Sequence, residues 1–156
     1  MKTWSQWKRS TLRKLIHEIL TVIYMSEIKP EDFGLDAWPV NRFDAVAKKN
    51  MVISEIVLRA GYIPKEYASF IIINITATIK RMEGTIEIVF QRMASGIEFT
   101  DNNPLGIVTF PLDNFIRLRK HDELIITISM GTWVARTIPL PVIAIGLRGK
   151  TIEINK

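Results

Sequence analysis

Chemistry has few places to start in this chain. His17 and His121 are its two imidazoles, and cysteine is absent, which removes thiolate nucleophiles, thiolate metal sites and disulfides together. His121-Asp122-Glu123 offers three metal-ligand types in a row. Adjacent residues of an extended chain point to opposite sides, however, and the run lies between two strand-like segments, so it reads as a solvated turn. A serine or threonine nucleophile needs a base and an orienting acid, and no local signature gathers them.

Two further motifs fail on their context. Gly149-Lys150-Thr151 ends like a phosphate-binding loop, but Ala144 stands where that loop needs its first glycine, and no helical pattern follows to aim an N-terminus at a phosphate. Residues 146–149 read instead as a hairpin turn. Asn74-Ile75-Thr76 fits the glycosylation pattern, yet it sits in the middle of a strand-like run. The residue types that most mechanisms require are scarce, so the expectation is a non-enzymatic protein with no cofactor, no metal and no small-molecule substrate.

The charge is unevenly placed. Residues 1–25 carry Lys2, Lys8, Arg9, Arg13 and Lys14 against Glu18, which is +4 of the chain's net +5. The remainder is nearly neutral, so the basic character belongs to the N-terminal stretch. There Leu12, Leu15, Ile16, Ile19, Leu20 and Ile23 recur at helical spacing, with Trp4 and Trp7 extending the stripe backwards, and Ser10 or Thr11 is placed to cap it. This predicts an amphipathic helical arm over residues 1–28. It can pack on its own domain, dock into a neighbouring subunit, lie on a membrane surface or touch nucleic acid, and the residues for such contacts are Trp4, Trp7, Lys8, Arg9, Arg13, Lys14, Leu15 and Ile19. The apolar run 15–25 is broken by His17 and Glu18, which argues against a secretory signal, and it is too short to span a bilayer.

Residues 29–50 mix Pro30, Gly34 and Pro39 with aromatics and predict a connector, with a short helix over 43–49 and Phe33, Leu35, Trp38 and Phe43 laid against a larger body. Period-two patterning then takes over for residues 51–156. Ile71, Ile73, Ile75, Ala77 and Ile79 share one face of a strand over 70–80, Glu83-Gly84 turns the chain, and the returning strand over 85–93 is read with Ile86, Ile88 and Phe90 inward. Further strands are predicted at 51–59, 97–100, 105–110, 115–119, 123–130, 133–138, 142–147 and 151–154. Many short strands with turns at close intervals and no helical crossovers indicate a mainly β protein, an antiparallel β-sandwich or jelly roll.

The stretch RAGYIPKEYASFIIINITATIKRMEGTIEIVF, then NNPLGIVTFPLDNFIRLRKHDELIITISMG, and a last PVIAIGLRG share a pattern. A proline-containing lead-in precedes a long strand and a glycine hairpin, a strand opens at His121-Asp122-Glu123-Leu124-Ile125-Ile126, and the end is small, apolar and closed by glycine. This resembles the small β-sandwich or jelly-roll virion structural proteins of bacteriophages and archaeal viruses, over about residues 51–150. The resemblance implies a capsid, decoration or spike-base subunit located in the virion, partnered by itself as a homo-oligomer and by other virion proteins, with the arm reaching an adjacent subunit. It brings no catalytic residues. Two other readings stay open: a nucleic-acid-binding protein that uses the basic arm, and a carbohydrate- or ligand-binding sandwich module.

Overall fold

Strand β4 (Ile71–Lys80) shows why the chain folds as sheet. Its β-branched residues alternate with polar ones, and the face carrying Ile71, Ile73, Ile75, Ala77 and Ile79 is entirely buried. Each such isoleucine contributes about 1.5–3 kcal/mol by leaving water. The structure, a computed structural model, describes residues 22–134 and 137–155.

Among the described residues, eight strands make two four-stranded antiparallel sheets. One is ordered β1 (Val22–Glu27), β8 (Ile143–Asn155), β3 (Asn50–Ala60), β6 (Ile107–Leu118); the other is β2 (Arg42–Val46), β7 (Glu123–Thr132), β4, β5 (Ile86–Ser95). From β1 to β4 and again from β5 to β8 every connection crosses to the other sheet, so of consecutive strands only β4 and β5 are neighbours in a sheet. The inner faces share one core. Phe43, Met51, Ile53, Ile56, Leu58, Phe110, Leu124, Ile126, Ile143 and Ile145 are buried in it, and Phe90 of β5 meets Phe110 of β6 at 6.2 Å between ring centroids.

Several elements differ from the sequence expectation, each for a local reason. Residues 22–27, placed in the helical arm, are strand β1, because β8 offers them an edge: Val22 pairs Asn155 and Glu27 pairs Lys150. Residues 43–49, expected to be helical, include β2, which pairs with β7 and buries Phe43. The sandwich thus draws two of its strands from the stretches assigned to arm and connector. The connector aromatics do lie against the body: Phe33 is buried edge-on to Phe43 at 4.9 Å, and Trp38 packs over Gly146.

Two expected strands over 105–119 are one, β6. Pro111 inside it is tolerated because, among the described residues, β6 pairs with β3 alone and is an edge there. Likewise 142–154 is one strand, not a hairpin: Gly149 sits within β8 where a Cβ would overlap the Val52 carbonyl, so the glycine serves a close backbone approach and makes no turn. Residues 97–100, expected as a strand, belong to a 3₁₀ turn (Gly96–Phe99) capped by Ser95 and Glu98. After β7, the described residues of 133–142 form a loop, not the strand expected at 133–138.

Bulges decide the faces. In β3, Ile53 pairs Gly149 and Glu55 pairs Arg148, so Ser54 is an extra residue and the buried set changes from Met51 and Ile53 to Ile56, Leu58 and Ala60. In β5, Ala77 pairs Phe90 and Thr78 pairs Ile88, which leaves Val89 extra. Ile86 and Ile88, expected inward, consequently face solvent at 68% and 60% exposure, and Phe90 alone of the three turns towards the core.

Candidate interaction surfaces

Strand connections collect at the two ends of the sandwich. At one end lie the turns after β2, β4 and β6, with the start of β1 and the finish of β8. At the other lie the longer loops after β1, β3, β5 and β7.

The first end is fastened by Asp122. His121 takes a left-handed backbone (φ 81°), which lets the next residue turn inward, and Asp122 is only 2% exposed. Its Oδ2 accepts from Arg81 Nη1 at 2.7 Å and from the Arg119 backbone N–H at 2.9 Å, while Oδ1 accepts from the Met82 N–H at 3.4 Å. Its own carbonyl accepts from the Ala47 N–H at 2.8 Å. One residue therefore ties three turns together, its carboxylate joining those after β4 and β6 and its carbonyl holding the one after β2. Arg81 Nη1 also donates to the Arg117 carbonyl at 2.9 Å. Burial by itself would raise the Asp122 pKa, but the bonds from Arg119 and Arg81, the Arg81 charge and the Met82 N–H outweigh it and hold the carboxyl below its ordinary value.

The expected solvated triplet is thus three different residues. His121 is exposed, Asp122 is buried and ion-paired, and Glu123 is half-buried on the outer face of its sheet. The Glu123 carboxyl shares a hydrogen bond with Asp44, which together with burial and the Asp44 charge raises its pKa against Lys80 and Arg42. Among the described residues, no group of three or more His, Asp or Glu side chains is placed to hold a metal ion.

Beside this clamp lies a cleft of about 570 Å³ lined by Tyr24, Lys48, Lys49, Asn50, Lys120 and Glu153 among others. Lys49 is answered by Asp32 at 3.5 Å and by Glu153 at 3.7 Å. The lysines come from two turns and the tyrosine from β1, so the cleft exists only once the sheets are assembled.

At the opposite end the exposed residues are apolar. Tyr62 is 88% exposed, and Leu105, Trp133, Leu140 and Val142 also stand in solvent. Tyr62 and Leu105 line a common cavity of about 440 Å³ between the loops after β3 and β5. Trp133 is held in place while exposed: its ring meets Phe70 edge-on at 5.2 Å, and its Nε1–H donates to the Ser69 carbonyl at 2.9 Å. Hydropathy alone did not single these residues out, because an isolated apolar residue in a loop is ordinary; what marks them is their meeting at one end.

Trp4, Trp7, Lys8, Arg9, Arg13, Lys14, Leu15 and Ile19 lie outside the described residues. Among the described residues, no helix is long and apolar enough to cross a membrane. Thr151 of the rejected phosphate-loop motif is buried in β8, where its hydroxyl lies 2.6 Å from that of Ser26. Asn74 is exposed in mid-strand on the outer face of β4. No protein-family model, no curated protein and no solved structure matches the chain.

Proposed function

We propose that this protein is a virion structural subunit, of capsid, decoration or spike-base type, that works by self-association and not by catalysis. The observation that carries the reading is strand order. Two four-stranded sheets ordered β1-β8-β3-β6 and β2-β7-β4-β5 have the connectivity of a jelly roll, an architecture that recurs in viral capsid domains as well as in lectins and cupins. The apolar end adds to it, because an exposed tryptophan held by Phe70 and Ser69, at the same end as Tyr62 and Leu105, has the composition of an association surface. In this reading the arm of residues 1–28 narrows to residues 1–21, since β1 is part of the body, and that shorter arm reaches a neighbouring subunit.

Light scattering on the full chain and on a version starting at Val22 tests this. A cut at residue 25 would remove most of β1 and confuse loss of the arm with damage to the sheet. The expected result is a defined oligomer whose mass drops when the arm is removed while the circular dichroism of the sheet is kept. A full chain that stays monomeric at micromolar concentration overturns the proposal.

A further inference from the structure

The cleft beside the Asp122 clamp has no part in the association proposed above, and its chemistry points elsewhere. Three lysines face it against the single carboxylate of Glu153, which Lys49 already answers. Lys48 and Lys120 make no ion pair among the described residues, and both are exposed. The Asn50 Oδ1 accepts from the Lys120 backbone N–H at 2.9 Å, so what its carboxamide has left to offer is the NH₂ group. Two unanswered ammonium groups and an amide donor make an anion-binding lining. Tyr24, 55% exposed, lines the same cleft and adds an aromatic surface.

We infer that this cleft binds the backbone of a single-stranded nucleic acid, with Lys48 and Lys120 on phosphates and Tyr24 stacked on a base. Cations beside an exposed aromatic ring suit such a strand, because every phosphate is charged and every base has a stacking face. The exposed walls favour a strand passing through over a free nucleotide, which pockets enclose.

The test is fluorescence anisotropy of a labelled oligothymidylate with the full-length protein over a series of salt concentrations. The proposal expects Lys48→Gln with Lys120→Gln to weaken binding on the order of tenfold and to make the log–log salt dependence shallower by about 1.4, two phosphates at about 0.7 each. Tyr24→Ala is expected to weaken it by roughly fivefold or more. A protein that does not bind the strand, or a double variant with unchanged affinity and slope, overturns the inference. Thymidine monophosphate competing as well as the strand, phosphate for phosphate, overturns it in favour of a nucleotide pocket. Replacing the five cations of residues 1–21 by glutamine separates the arm from the cleft: the proposal requires the Lys48/Lys120 effect to persist in that background, and its disappearance there counts against it. Light scattering on the same samples keeps the two readings apart, since lost binding with an intact oligomer removes this inference alone.

Discussion

The two ends of the sandwich are built from the same kind of parts, turns between antiparallel strands, and solve opposite problems. At the end where β1 starts the turns are short and need a fastener, which Asp122 supplies by accepting from Arg81, Arg119 and Met82. At the far end the loops are longer, hold their shape through ring packing and backbone bonds such as Gly61 N–H to the Val142 carbonyl at 2.7 Å, and leave apolar side chains in water. A polar group became structural where it was buried, and apolar groups stayed available where they were not. Residue type alone would have assigned the two roles the other way round.

That contrast can be broken most sharply at Asp122. Replacing it by alanine leaves Arg81 half of a buried pair and strands the turn N–H groups, at a cost of about 3 kcal/mol, to be read from urea unfolding. The sign with pH follows from the lowered pKa. The carboxylate's contribution is complete above the ordinary aspartate value of about 3.9 and is lost as pH falls through the lower folded value. Asp122→Asn should therefore lose less stability than the parent protein between about pH 5 and pH 2. An acid limb of equal size in both proteins would show that the clamp does not titrate as described.

A smaller effect is expected at the far end. Trp133→Ala removes the contact with Phe70 and the bond to Ser69, at about 1–2 kcal/mol, since much of the indole is already in solvent. A loss as large as that at Asp122 would make Trp133 a core residue and remove it from the proposed association surface. The smallest change in stability belongs to Tyr62→Glu combined with Leu105→Glu, within about 0.5 kcal/mol by thermal unfolding, because neither side chain is buried. The same pair should lower the oligomer mass by light scattering. An unchanged mass would show that association uses another face.

Much of the sheet was legible before the structure. The run over β4 has five apolar residues at period two, and all five are buried as their spacing required. Legibility ended at the bulges. Nothing local to Ser54 or Val89 announces an extra residue, because a bulge answers the register of the partner strand, and the reading of Ile86 and Ile88 as core failed for that reason. The strands at Val22–Glu27 and Arg42–Val46 were missed on similar grounds: the first reads as the end of a helix until β8 offers it an edge, and the second is too short for a period to emerge.

The sequence by itself determined that this is a mainly β protein without thiol chemistry, with a basic, tryptophan-bearing N-terminal stretch and aromatic residues in 29–50 that must pack on a body. Those properties depend on residue type and local spacing, which a linear chain carries in full. The tertiary structure alone decided that Asp122 is buried while its neighbour His121 is not, that Lys48, Lys49 and Lys120 face one cleft with Tyr24, and that Tyr62 and Trp133 stand at the same end. Each of these joins residues from strands or turns far apart along the chain, and electrostatic and packing energies depend on distance in space, which hydropathy and period do not encode.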